Sequence, residues 1–185
     1  MVILAIDPGQ HESGFVEYDT DLCKILDLGI PKNEEMLQKI IACGRKPAVE
    51  YPSPRGQPMY TQIVDTIAWI GRFIQVTPTK SIYKIDRKDV KMILCGNTKA
   101  SDSNVNAAIM SCFPETGGGA RGQIGTKDQP GPLYGVKKHI WPALGVMIVH
   151  SIKNGVPPTP FHKKHVFKNI NGSIVLPNKI EDLPF

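Results

Sequence analysis

The chain has 185 residues, 41% of them hydrophobic, which is enough for one compact core and short for two. Its 22 Lys and Arg residues exceed its 17 Asp and Glu residues, and the net charge of +5 is compatible with a polyanionic partner. No apolar run approaches the roughly 18 residues that cross a bilayer, and the start of the chain has neither a basic leader nor a small-residue cleavage site. We therefore expect a cytoplasmic globular protein that does not bind membranes.

The first fifty residues predict four strands and one helix. Apolar or alternating stretches that indicate an antiparallel meander lie at 2–6, 14–18 and 25–30. Residues 34–43 have helical periodicity, and Gly44 follows as a C-cap. A short strand at 47–51 then leads into a loop rich in proline and glycine.

The second half of the chain is mostly helical. One more strand is predicted at 81–85, and four helices are predicted at 59–74, 87–94, 101–112 and 136–152. Residues 115–132 contain six glycines and two prolines, which predicts a mobile loop. Parallel strands that alternate with helices after an antiparallel start favour an α/β fold with a mixed five-stranded sheet flanked by helices.

Two acidic residues end predicted strands. Asp7 closes the first strand in the sequence Asp-Pro-Gly, at the carboxyl edge where open α/β sheets form ligand sites, although Asp-Pro-Gly also suits an ordinary turn. Glu50 ends a second apolar strand, where it is either a surface residue or, if buried, in need of a partner or a metal. Two carboxylates at adjacent strand ends suit Mg²⁺ or Mn²⁺, and two such ions can promote phosphodiester hydrolysis.

His139 is the third candidate for the site. Pro142 has no backbone N–H and is comfortable only in the first turn of the last helix, which places His139 at the start of that helix, facing the sheet end. A neutral imidazole there can ligate a metal or move a proton, or it can simply bond to the backbone. No phosphate-binding glycine loop, dinucleotide fingerprint or serine-hydrolase elbow is present in the sequence.

The ordered set of motifs resembles the RuvC family of Holliday-junction resolvases. Ile-Leu-Ala-Ile-Asp-Pro-Gly at 3–9, with Ser13-Gly14, resembles the family's first motif, and Val49-Glu50 before a loop and a long helix resembles its second. The later stretches that resemble the family lie at 99–110 and 143–150. Gly-Pro-Leu-Tyr-Gly-Val at 131–136 is similar to RuvC-like proteins carried by phages and prophages. The match covers about residues 1–152.

The resemblance implies an RNase H-like nuclease domain at 1–154, a homodimer, and two-metal cleavage of four-way DNA junctions in a bacterial or phage-infected cell. Asp7, Glu50 and His139 then hold the metal and take part in catalysis, while residues 155–185 form an extension that packs on the domain or is partly extended. Pro142 stands where the family has a further acidic residue. The site then works with three ligands and water, or recruits another carboxylate, or has lost cutting while keeping junction binding. The carboxylates considered as substitutes are Asp102, Asp65 and Glu115.

The resemblance also implies DNA contacts near the acidic residues. Arg55, Met59 and Tyr60 lie just after Glu50, where one side chain is expected to wedge into an opened junction. Stacking of an aromatic ring on a base there stabilises by ~1–3 kcal/mol. The expected phosphate contacts are Lys88, Lys91, Lys99 and Lys138. Two alternatives remain open at this point: a less selective nuclease that acts on flaps, forks or RNA hybrids, and a branched-DNA binding protein without catalysis.

Overall fold

The computed structural model describes residues 1–52 and 60–156, which form five strands and five helices. The strands are β1 (Val2–Asp7), β2 (Gly14–Asp19), β3 (Lys24–Gly29), β4 (Ala48–Tyr51) and β5 (Tyr83–Asp86). The helices are α1 (Asn33–Cys43), α2 (Thr61–Val76), α3 (Arg87–Cys95), α4 (Asp102–Ser111) and α5 (Ile140–Lys153).

The strands form one mixed sheet in the order β3-β2-β1-β4-β5. The short turns after β1 and β2 make the first three strands antiparallel, whereas α1 and α2 act as crossovers that make β4 and β5 parallel to β1. The predicted mixed five-stranded sheet is therefore confirmed, with β1 at its centre.

Helices cover both faces of the sheet because the side chains of β1 alternate between two cores. Ile3 and Ala5 pack with α3, α4 and α5, while Leu4 and Ile6 pack with α1 and α2. Helix α5 is buried along most of its length, which explains its almost continuous apolar sequence. It lies across β1 and starts at the edge where β1 ends, so its first residues face the end of that strand.

Several predicted boundaries shift. The last helix begins at Ile140 rather than at residue 136, because the preceding residues form turns and Lys138 has a positive φ of 42°. The predicted 115–132 loop is extensively hydrogen-bonded to itself: the Gly117 N–H donates to the Gly122 carbonyl over 2.8 Å, and the Gly131 N–H to the Ile124 carbonyl over 3.0 Å.

Most of the predicted 155–185 extension lies outside the described residues, so it stays a prediction. Within residues 1–52 and 60–156, no helix combines the length and apolar character that crossing a membrane requires.

Candidate active site at the carboxyl ends of the parallel strands

The parallel strands bring acidic residues to one edge of the sheet. Ile6 is paired with Val49 across β1 and β4, so Asp7 and Glu50, the next residues, leave neighbouring strands at the same level. They form part of a cleft of about 320 Å³. The residues that line it are Asp7, Pro8, Glu50, Tyr51, Pro52, Asp86, Arg87, Lys88, Lys91 and Thr98. Acidic groups at the base of this cleft are thus surrounded by several cations.

Asp7 is held by His139. The Nδ1 of His139 lies 3.1 Å from the Oδ2 of Asp7, and the Asp7 side chain is only 13% exposed while that of His139 is about half exposed. Burial raises the pKa of Asp7, although the hydrogen bond from His139 and the charges of His139 and Arg87 oppose that rise. The predicted contact between the end of β1 and the start of the last helix is therefore present.

Gly14 makes this approach sterically possible. It is the partner of Asp7 in the β1–β2 ladder, and a Cβ added to it would lie 2.1 Å from the carbonyl oxygen of His139. Any larger residue at position 14 would therefore push the start of α5 away from Asp7.

Glu50 is held by Arg87, the first residue of α3. The Nη1 of Arg87 lies 3.2 Å from the Oε2 of Glu50, and its Nη2 lies 2.7 Å from the Oδ1 of Asp102. Burial and then the charge of Asp7 raise the pKa of Glu50 to about 7, while Arg87 acts to lower it. Asp7 is close enough to Glu50 to disfavour the ionised form of Glu50.

A buried polar network fixes the loop that follows Asp7. The Ser13 hydroxyl donates to the Asn33 side-chain oxygen over 2.6 Å, and the Asn33 amide donates to the Gly9 carbonyl over 3.0 Å. The Gln10 amide donates to Asp65 over 2.8 Å, which ties the same loop to α2. These contacts hold the backbone beside Asp7 in one conformation.

The predicted phosphate-binding residues divide into two groups. Lys88 and Lys91 line the cleft, and Lys91 lies 3.9 Å from Asp102. Lys99 and Lys138 are exposed but are not part of the cleft lining; Lys138 directly precedes His139.

Of the residues predicted to wedge into the junction, Tyr60 lies in the described part of the chain. It is 65% exposed at the N-cap of α2, outside the cleft lining. Arg55 and Met59 lie outside the described residues.

The three carboxylates considered as substitutes at the Pro142 position have other partners. Asp102 is near the site but is paired with Arg87, whose hydrogen bond lowers the pKa of Asp102. Asp65 accepts from Gln10, and Glu115 accepts from Gln123. Each of these three carboxylates thus already has a partner in the protein, and Asp86, which also lines the cleft, caps α3 through Oδ1.

The donor set fits a hard divalent cation only in part. In the described part of the chain, no three His, Cys, Asp or Glu side chains converge as a preformed metal site. However, Asp7 and Glu50 are buried carboxylates with raised pKa values, and a divalent ion between them would stabilise both ionised forms. Asp7 and Glu50 are therefore the residues that would hold Mg²⁺ or Mn²⁺, and His139 lies next to Asp7.

Sequence reasoning missed two residues that shape the site. Arg87 is not among the residues predicted for the site, although its place directly after β5 could have indicated a role at the shared strand edge. The role of Gly14 depends on its approach to a residue 125 positions away, and no local signal reveals that approach.

This sheet order, with helices on both faces, defines an RNase H-like fold. RuvC of Thermus thermophilus has the same fold: its structure matches with a TM-score of 0.54 and 18% identity over 84% of this chain and 98% of RuvC. The structure of T. thermophilus RuvC in complex with a Holliday junction substrate matches with a TM-score of 0.53 and 21% identity over 83% and 94% of the two chains. No protein-family model and no curated protein sequence matches the chain. At identities this low, the likeness shows the fold alone.

Proposed function

We propose that this protein is a divalent-metal-dependent endonuclease that cuts four-way junctions or related branched DNA, as a RuvC-like homodimer of the phage or prophage type. The observation that carries the proposal is the side-by-side placement of Asp7 and Glu50, both largely buried, in a cleft edged by Arg87, Lys88 and Lys91. The RNase H-like fold supports it, since one solved structure of this fold is a RuvC complex with a Holliday junction. We place its action in the cytoplasm of a bacterial or phage-infected cell.

The residues of the cleft have separate roles in this proposal. Asp7 and Glu50 hold Mg²⁺ or Mn²⁺, which when bound supplies Lewis-acid activation of water and neutralises charge on the phosphate. His139 donates from Nδ1 to Asp7, and this contact orients the ring so that Nε2 can take a proton from the attacking water. Lys88 and Lys91 bind backbone phosphates at the rim of the cleft.

A cleavage assay with the Asp7→Asn variant tests the proposal. The complete chain is incubated with a four-way junction labelled on each strand in turn, with Mg²⁺, Mn²⁺ or EDTA. We expect paired, metal-dependent nicks from the natural sequence. Asp7→Asn should bind the junction and lose cleavage by on the order of 10²–10³-fold, because an amide cannot replace the charge beside the cation.

Asp89→Asn is the matched control, since Asp89 pairs with Lys153 over 2.6 Å and does not line the cleft. It should cut like the natural sequence. An uncut junction in both metals, or full cleavage by Asp7→Asn, would exclude the proposal.

A second candidate function is branched-DNA binding without catalysis. It is favoured by Pro142 at the expected acidic position and by the lack of a preformed three-donor site in the described residues. Tight junction binding without products in either metal would identify it. Comparison of junctions with flaps, forks and RNA hybrids, together with light scattering for the dimer, separates a resolvase from a less selective nuclease.

A further inference from the structure

Arg87 lies between two acidic residues at the edge of the cleft. Its guanidinium group spans two carboxylates, with Nη1 toward Glu50 and Nη2 toward Asp102, and its side chain is 27% exposed. Its backbone begins α3, whose N-cap Asp86 accepts from the Lys88 N–H. Arg87 is therefore fixed at both ends: the helix start positions its backbone and the two carboxylates position its charge.

The carboxylates around the cleft already have partners within the protein. Oδ1 of Asp86 caps α3, and Oδ1 of Asp102 pairs with Arg87 and lies 3.9 Å from Lys91. Asp7 and Glu50 then remain to hold metal, and a cation already sits 3.2 Å from Glu50. A second divalent ion on that side of Glu50 would have to displace the arginine or be repelled by it.

The guanidinium group has the chemistry to act on a phosphate. Two of its five N–H donors account for the contacts with Glu50 and Asp102, so the planar fork keeps donors for a phosphate oxygen entering the cleft. Since an arginine does not lose its proton in proteins, this positive charge is present at every working pH.

We propose that Arg87 takes the place of a second divalent ion, so that the site works with one ion on Asp7 and Glu50 and one fixed guanidinium beside them. This inference rests on the proposed nuclease function and replaces the expected two ions by one. In hydrolysis, the water oxygen bonds to phosphorus and the bond from phosphorus to the leaving oxygen breaks. The water proton passes to His139, solvent protonates the leaving oxygen, and Arg87 donates hydrogen bonds to the phosphate without moving a proton.

The number of bound ions is the first test. Mn²⁺ is titrated into the complete chain, and free Mn²⁺ is followed by electron paramagnetic resonance. We expect one Mn²⁺ per chain that is lost in Asp7→Asn and kept in Arg87→Gln. Two ions per chain that both disappear in Asp7→Asn would overturn the inference, and so would the absence of any ion that depends on Asp7.

The cleavage rate at saturating junction is the second test. Arg87→Gln should lower it by on the order of 10²–10³-fold, and Arg87→Lys should recover part of the loss because it restores the charge but not the fork. Arg45→Gln is the matched control: Arg45 also pairs with a carboxylate, Glu17, but far from the cleft lining, and its loss should leave the rate unchanged.

Further outcomes keep the two proposals distinguishable. Melting curves of the Arg87 variants show whether each is folded, and if Arg87→Gln unfolds, the Arg87→Lys rate relative to Arg45→Gln decides. A folded Arg87→Gln that cuts at the natural rate overturns the role of Arg87 while the nuclease proposal stands. If the natural sequence cuts no branched DNA, the nuclease proposal fails, and the Mn²⁺ count still decides between a one-ion and a two-ion site.

Discussion

Gly14 offers the sharpest structural test of the site. It pairs with Asp7 in the β1–β2 ladder, and its missing side chain leaves room for the backbone of His139. In Gly14→Ala, the new Cβ would lie 2.1 Å from the His139 carbonyl oxygen, 2.4 Å from its carbonyl carbon and 2.8 Å from its Cβ. Because two of these atoms belong to the backbone, a side-chain rotation cannot relieve the clash, and the start of α5 has to move.

The expected size of the effect follows from two opposing contributions. Overpacking of this kind lowers the free energy of unfolding by about 1–3 kcal/mol. Replacing glycine by alanine raises it by about 0.4–1 kcal/mol, because alanine restricts the unfolded chain. A net loss of about 1–2 kcal/mol corresponds to a melting temperature lowered by about 2–8 °C in a chain of this size. The Asp7–His139 contact should break, and a misplacement of about 1 Å at a catalytic group costs roughly 100-fold in rate.

Thermal melting and junction cleavage measure these effects, and Gly71→Ala is the control. Gly71 lies in the exposed middle of α2, and a Cβ there would meet no atom within 4 Å. Alanine at position 71 should therefore stabilise the protein by about 0.5–1 kcal/mol. If Gly14→Ala melts and cuts like the natural sequence while Gly71→Ala shows its gain, the close approach of His139 to β2 is wrong.

Three further predictions concern charge and hydrogen bonding. The folded-state pKa of Glu50, about 7, lies above its ordinary value of 4.5, so the stability that protonated Glu50 contributes is lost as pH rises through 7. Metal-free protein should lose about 1–3 kcal/mol of unfolding free energy between pH 4.5 and 8, and Glu50→Gln should make this slope much shallower in denaturant titrations. Lys88→Gln with Lys91→Gln should lower the slope of log binding constant against log salt by up to about 1.8, measured with Ca²⁺; an unchanged slope would contradict their phosphate contacts. Asn33→Ala leaves the buried Ser13 hydroxyl without its acceptor and should cost about 1–3 kcal/mol in thermal unfolding; a neutral result would mean that water replaces the contact.

The acidic part of the site could be read from sequence because its signals are local. An apolar strand that ends in an acid places the carboxylate at the strand's carboxyl end, and the parallel pairing of β1 and β4 then brings Asp7 and Glu50 to the same edge. The position of His139 followed from Pro142, since the ring of proline is accepted only near a helix start. The acidic residues at strand ends and the proline near the helix start can each be recognised from a few neighbouring residues.

The cationic part of the site could not be read in that way. Arg87 pairs with Glu50, 37 positions earlier, and the contact depends on how β5 aligns with β4 and how α3 leaves the sheet. The sequence shows a basic stretch but not which of its side chains turns toward the carboxylates and which, like Lys99, remains in solvent. Such choices are made by packing between elements rather than by local propensity.

The protein's own cations set the conditions under which a metal can bind. Arg87 already contacts Glu50, so the ionised Glu50 carboxylate is partly neutralised before any ion arrives. An incoming divalent ion gains the attraction of both carboxylates but is repelled by the guanidinium, which the fork to Asp102 keeps in place. Loss of the Arg87 charge should therefore strengthen metal binding even as it weakens catalysis, whereas a purely structural arginine would weaken both. The sign of the change in Mn²⁺ affinity in Arg87→Gln thus separates an arginine that acts on the phosphate from one that only holds the strand ends together.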